Sequence, residues 1–386
     1  MMRDEISNAT RTGIHNRRLI LSIIRDEGPI SRIQLSKRLG LTSAATTVIV
    51  RDLMAEGLVV EQGTGESKLV GRKPIHLIVN PNRPLVAGVR VRKGYCRTVV
   101  ANLAGNAVSE MSRHFTGRRP EDVYREIEDQ LHRLTGTAGI DSIKYICVAT
   151  SGVFNIDDGI INYSATFDWH NVPFAAELSA RLGIPVHLVH FTNAAAYAYL
   201  RATPPSNNNL IFINWSIGIS SAMIVNGQIY RGSQGYAGEL GHMSIAPLDG
   251  VPCTCGGKGC LETYCGMEAV MAKLHAAGSS LKLDLLDTNP ESLSEEETAI
   301  LTPIVKLMGT ATANLINLFN PHQIIIAGEG VALARLLSDT FNAAVMDQVL
   351  PTLRPHVNVQ LGEQDMAVHG AAALAGTYLI NSLYNI

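Results

Sequence analysis

From about residue 10 to residue 26, Ile14, Leu19, Ile20, Ile23 and Ile24 recur at helical spacing, and Gly28-Pro29 ends the run. Ser31 then opens SRIQLSKRLG, a short helix with Ile33, Leu35 and Leu39 expected inward and Gly40 at its end. Thr42-Ser43 start a second helix through AATTVIVRDLMAEG, whose buried side is expected to hold Val48, Leu53 and Met54. Two short helices joined by a glycine-containing turn predict a helix-turn-helix. In that motif the second helix enters the major groove with its N-terminal side chains on base edges. Here those are Ser43, Ala44, Thr46 and Thr47, with Arg51 nearer the phosphates.

Two β-rich runs, LVVEQ and HLIVN, flank GTGESKLVGRKP and predict a hairpin wing. Its tip, Gly71-Arg72-Lys73-Pro74, suits insertion of Arg72 into a narrow minor groove, where the potential is most negative. The alternatives are a winged helix used only for protein contacts, or a basic loop that is merely solvated. Pro81 and Pro84 mark a linker. From Leu85 the pattern changes. Strands LVAGVRV, CRTVVANLAG, IKYICVAT and IPVHLVH alternate with helices VYREIEDQLHRL and AAELSARLG. The alternation resumes with LIFINWSIG and SSAMIVNGQIYRG and ends on the helix TPIVKLMGTATANLINLF feeding the strand QIIIAGEG. This predicts an α/β architecture. Residues 280–297 are more polar and read as an exposed insertion, and no repeat at a solenoid period is visible.

A chain of 386 residues has room for two or three domains, and 46% hydrophobic with 17% charged residues describes globular cores. There is no run of about eighteen apolar residues, so no membrane span is expected. The N-terminal stretch MMRDEISNATRTGIHNRR has no apolar signal region, which predicts a cytoplasmic protein. The net charge of −2 is unevenly spread: the first eighty residues carry +4 and the rest −6. A modestly basic small domain on an acidic large one points to nucleic acid at one end only.

Three of the six cysteines fall within eight positions, in GHMSIAPLDGVPCTCGGKGC. With His242, the thiols of Cys253, Cys255 and Cys260 form the donor set of a structural tetrahedral zinc site, Zn2+ with four protein ligands and no open position. Gly256, Gly257 and Gly259 let the backbone fold back so that Cys260 completes the set. Free thiols or a disulfide are the alternatives; disulfides are rare in the cytosol.

The segments VATSGVFN (148–155), IYRGSQGYAGELGHM (229–243), CTCGGKGCLET (253–263), IIIAGEGV (324–331) and VHGAAALA (368–375) resemble, in order and spacing, the ROK family of bacterial repressors and sugar kinases. The resemblance covers essentially the whole chain, because ROK repressors carry an N-terminal winged helix-turn-helix and ROK kinases do not. It implies an α/β fold: a winged helix-turn-helix over residues 1–80, then a two-lobed actin-like (ribonuclease-H-like) domain. The first lobe would span 85–190 and be rejoined by a C-terminal helix at about 366–386. The second, 191–365, would carry the zinc and the oligomerisation surface. The resemblance also implies that Glu239, His242 and Glu262 hydrogen-bond the hydroxyls of a sugar effector.

Set against the family's kinases, the chain lacks the parts of phosphoryl transfer. Where they have a DxGGT-type loop it reads GVRVRKGYC, with Arg90 near the acidic position and Gly94 as the one glycine after it. Phe191 stands where the catalytic aspartate of NDANAAA would be, and Ser216-Ile217-Gly218-Ile219-Ser220 replaces GTGIG. Thr166 stands in for a sugar-contacting asparagine. Trp169, His187 and His190 either line the cleft or pack in the core. The expectation is a non-enzymatic repressor of a carbohydrate operon. It binds operator DNA as a homodimer or homotetramer, because one helix-turn-helix reads one half-site. A sugar or sugar phosphate effector acts by changing lobe closure. The alternative is that Glu239, His242 and Glu262 persist to organise the zinc loop and the effector is a protein or nothing.

Overall fold

The computed structural model describes residues 8–64, 75–156, 158–203, 207–246, 248–281, 293–362 and 366–384. The wing tip with Arg72 lies outside them. The head comprises α1 (Asn8–Glu27), β1 (Ile30–Ser31), α2 (Arg32–Leu39), α3 (Ser43–Ala55), β2 (Val59–Thr64) and β3 (Ile75–Val79), its strands in the order β1-β3-β2. Ile20, Leu21, Ile24, Leu35, Val50 and Leu53 close its core. Ser31 caps α2 in a reciprocal box with Gln34, and the Thr42 side chain accepts from the Ala45 N–H to cap α3.

The next strands are β4 (Leu85–Arg92), β5 (Tyr95–Asn102) and β6 (Ala107–His114), followed by α4 (Pro120–Thr135) and β7 (Ile143–Thr150). A small sheet of β8 (Val153–Asn155), β9 (Ile160–Ser164) and β10 (Trp169–Val172) leads to α5 (Phe174–Leu182), β11 (Val186–His190) and α6 (Phe191–Ala202). The main sheet runs β11-β7-β4-β5-β6, antiparallel among β4, β5 and β6 and parallel from β4 to β7 to β11.

The second lobe contains β12 (Leu210–Trp215), β13 (Ile219–Val225) and β14 (Gln228–Tyr230), then α7 (Glu262–Cys265), α8 (Met267–Ala276) and α9 (Glu295–Phe319). It closes with β15 (Gln323–Ala327), α10 (Val331–Leu336), α11 (Ser338–Gln348) and β16 (Val359–Leu361). Its sheet, β14-β13-β12-β15-β16, repeats the plan of the first: an antiparallel meander, then two strands added in parallel. The sequence shows no such duplication. Identical strand order requires only matched apolar runs, and different apolar side chains fill them equally well. By length and hydropathy α9 could cross a membrane, but Leu301, Val305, Met308 and Ala313 bury it in the core of this lobe. Of the polar stretch 280–297, Glu295–Glu297 open α9 under the Ser294 cap.

The final helix, α12 (Ala367–Leu383), lies on the first sheet. A Cβ on Gly88 of β4 would come within 2.3 Å of both Ala372 N and Val368 O, so only glycine there permits this approach. The chain divides into two compact units, residues 1–194 with 367–386, and residues 195–366. The head therefore belongs to the same unit as the first lobe.

Candidate functional site

On α3, Ser43, Ala44, Thr47 and Arg51 are exposed along one face. Thr46 is not among them. It is 0% exposed, and its hydroxyl donates to the Thr42 carbonyl at 3.1 Å. The buried positions are Thr46, Val50 and Leu53, spaced by four and three, which turns Thr46 into the head and leaves Val48 46% exposed beside Thr47. Of the expected buried side, Leu53 is buried and Met54 half-buried, but Val48 is exposed and Val50 takes the inward place. Ile33 on α2, expected inward, is likewise exposed at 61%. Val48 is thus a surface residue of this face that sequence reasoning missed; its apolar side chain suits a thymine methyl. Arg32 on α2 pairs with Glu61 of β2 at 2.9 Å, joining the helices to the wing.

In the second unit, the short 3-10 turn Leu240–His242 and the loop that follows bring together His242, Cys253, Cys255 and Cys260. Their ligand atoms all lie within 4.8 Å of one another. His242 Nδ1 is 3.7 Å from Cys253 Sγ, and Cys255 Sγ is 3.7 Å from Cys260 Sγ. A tetrahedron of metal–sulfur bonds of about 2.3 Å has sulfur–sulfur edges of about 3.8 Å, so the spacing is that of a coordination shell. Backbone bridges Ser244–Cys260 and Pro252–Lys258 shape the loop. Gly259 is required in it: its φ is +68°, and a Cβ would lie 2.0 Å from Ala246 O. Burial pushes the Cys260 thiol up to about 12, while the Gly257 N–H holds the Cys255 thiol below its ordinary value. None of the six cysteines is in a disulfide. Cys265 sits apart on α7, its Sγ donating to Ile304 O at 3.6 Å, with its pKa raised by burial to about 12.

Glu239 and Glu262 flank the same loop. Burial and the nearby Glu262 charge raise the Glu239 carboxyl, against an opposing pull from His242. The Ile219 N–H donates to Glu262 Oε2 at 2.8 Å, so this carboxylate braces the segment Ser216–Ser220. In that segment Ser216 Oγ donates to Glu329, which sets a carboxylate against its first residue.

In the first unit, the Arg90 guanidinium is buried and stands 4.3 Å over the Phe191 ring, with Nη1 donating to Val91 O at 2.8 Å. Burial, then the Arg90 charge, lowers His190 to about 4. Thr166 is 3.4 Å from the Ser151 hydroxyl. Trp169 and His187 pack: Trp169 stacks on Phe167 at 4.3 Å and donates to Arg118 O, and His187 lies 4.0 Å from the Tyr378 ring.

A family profile described as ROK family matches residues 86–377, and a winged helix-turn-helix DNA-binding profile matches residues 15–60. This chain belongs to the ROK family. With its winged helix it is one of the family's transcriptional regulators, and the head is a DNA-binding domain. It is similar to the xylose repressor of Bacillus subtilis, 28% identical over 360 residues covering 90% of this chain and 91% of that one. It is also similar to the DNA-binding transcriptional dual regulator NagC of Escherichia coli, 26% identical, with 98% and 96% covered. Among solved structures, a ROK family transcriptional regulator described as a homologue of the E. coli MLC protein superposes with a TM-score of 0.80, 24% identity and 97% and 98% coverage. A ROK glucokinase from Streptomyces griseus matches 76% of this chain and 99% of its own, with a TM-score of 0.62 and 22% identity. The named sequence relatives are repressors and regulators; the kinase shares the fold of the two lobes without the head.

Proposed function

We propose that this ROK regulator represses a carbohydrate-metabolism operon, binding a two-half-site operator as a homodimer or homotetramer in the cytoplasm and responding to a sugar or sugar derivative. The observation that carries the proposal is the pairing of an outward-facing α3, with Ser43, Ala44, Thr47 and Arg51 exposed, with a sugar-kinase-like domain lacking a catalytic base at Phe191. Arg72 at the wing tip supplies a minor-groove contact in this reading. Glu239, His242 and Glu262 are the proposed effector contacts, two acceptor carboxylates and one ring nitrogen. His242 Nδ1 faces Cys253, which leaves Nε2 for a ligand. The metal is zinc: one imidazole and three thiolates at tetrahedral spacing are its preferred structural set, and a closed shell stabilises the fold rather than performing chemistry.

No kinase activity is expected. The Arg90–Phe191 stack occupies the base position, and the Glu329 carboxylate opposes a phosphate at the second loop. The Glu262–Ile219 bond supports a second reading, in which the glutamates hold the loop and the effector is a protein. Selection of the full-length protein on random duplexes, followed by calorimetry with hexoses, pentoses, N-acetylated sugars and their phosphates, tests both. Failure to enrich any duplex sequence defeats the repressor reading. Silence in every sugar titration, with the operator bound, moves the effector to the protein reading.

A further inference from the structure

We infer that the C-terminal helix positions the DNA-binding head, with Tyr384 and Thr377 holding α3 and α1 at two points and so setting the half-site spacing the protein selects. The inference rests on the operator-binding oligomer proposed above. Tyr384, just past the end of α12 and 9% exposed, donates its hydroxyl to Glu56 Oε2 at 2.9 Å. Glu56 is the C-cap of α3, so this contact takes hold of the recognition helix at its end. Seven positions earlier, about two helical turns, Thr377 Oγ1 accepts from Arg25 Nη1 of α1 at 2.8 Å. The Arg25 side chain is only 7% exposed, and Asp26 holds its Nε at 2.6 Å.

Inside the head, Arg17 of α1 spans to Asp52 at 2.8 Å and to Glu56 at 3.1 Å, which makes α1 and α3 one block. A single tie would leave that block free to swivel. Two ties on different helices, one from Thr377 within α12 and one from Tyr384 just past its end, fix its rotation. The helix providing them is itself immobilised, because Gly88 and Gly376 bring it to backbone contact with β4 and with Leu103. The linker is pinned as well: Asn80 Nδ2 donates to Gly57 O at 2.9 Å. The direction of α3 is therefore inherited from the sheet of the first lobe. In an oligomer, heads held this way present two recognition helices at one separation, and a duplex is read at one half-site spacing.

The test uses the full-length wild type, Tyr384→Phe, and the double variant Tyr384→Phe, Thr377→Val. Each is titrated against duplexes carrying two copies of the selected half-site at spacings stepped by one base pair, and against a duplex with one copy. Expected is a single preferred spacing for the wild type. In the double variant, preference for that spacing over one displaced by half a helical turn falls about tenfold, the effect of losing a hydrogen bond to a charged group. Affinity for the single half-site stays within about twofold. If the double variant loses single half-site binding, Tyr384→Phe alone, which removes one oxygen, is held to the same criterion. An unchanged spacing preference with intact single-site binding overturns the inference. So does a wild type that binds half-sites with no fixed spacing. A wild type that binds no duplex removes the operator reading and this inference with it.

Discussion

Thr46 and Thr47 are separated by one position and about 100° around α3, and that rotation assigns them different work. Thr47, exposed with its hydroxyl donating to Ser43 O at 2.7 Å, faces outward with Arg51. Thr47→Ala should change base preference in a duplex selection while leaving the salt dependence of binding nearly unaltered. Arg51→Ala should weaken all duplexes alike and reduce the salt slope by about one. Thr46→Ala should instead cost about 1–2 kcal/mol of head stability, read by denaturant unfolding. The residue types of a recognition helix were legible in the sequence, but its phase was not, because SAATTVIV offers small or β-branched side chains on every face. His190 was legible only as a histidine next to Phe191. Its depressed pKa of about 4 makes a pH prediction. Above the unfolded value of about 6.5 both states are neutral, and the native state loses nothing. As pH falls from about 6.5 to about 4, the unfolded chain takes up a proton that the buried ring refuses, and stability declines by up to about 3 kcal/mol. His190→Gln should flatten that part of the profile in urea unfolding measured across pH.

Among the elements, the loop after β14 depends most on its ligands, since the described residues of 243–261 hold little regular structure beyond two isolated bridges. Its thiols must be deprotonated to bind metal, yet burial disfavours the Cys260 thiolate, so a cation is what permits three sulfurs to converge. Cys253→Ser or Cys260→Ser should release about one zinc per chain and lower the calorimetric unfolding temperature of the second unit; a strong chelator should do the same to the wild type. Cys265→Ala should keep its metal, because that thiol points to Ile304 O. Protein prepared without chelators that contains no metal would defeat the assignment. This element was the most legible of all, since ligand types and glycine spacing carry the chemistry locally. The bracing of Ser216–Ser220 by Glu262 was not legible, because it joins residues 43 positions apart through one carboxylate oxygen. The same holds for α12 and the head, where Arg25 and Thr377 are 352 positions apart.

At the scale of the whole molecule, strand–helix alternation gave away an α/β chain behind a helix-turn-helix, while the grouping of that head with the first lobe and the shared plan of the two five-stranded sheets emerged only from the structure. That plan is common to kinases and regulators, so it leaves the chemistry to individual positions. Phosphoryl transfer needs a base, a loop open to the phosphates and a second loop that can close on them. If Phe191 stands at the base position, as proposed above, Phe191→Asp puts a carboxylate there, but directly beneath the Arg90 guanidinium, which sits 4.3 Å from the present ring. An ion pair there would hold the new aspartate ionised yet engaged, a poor acceptor for a hydroxyl proton. On that reading the first loop keeps only Gly94 after Arg90, and Ser216 of the second still donates to Glu329, a carboxylate that would repel an incoming phosphate. Neither the wild type nor Phe191→Asp should therefore release ADP from ATP in the presence of glucose, xylose or N-acetylglucosamine in a coupled assay. Adding Glu329→Gly should restore nucleotide access before it restores turnover, so ATP binding by calorimetry should appear in that double variant while phosphorylation stays undetected. Sugar-dependent ADP release by the wild type would return the chain to the kinases of its family.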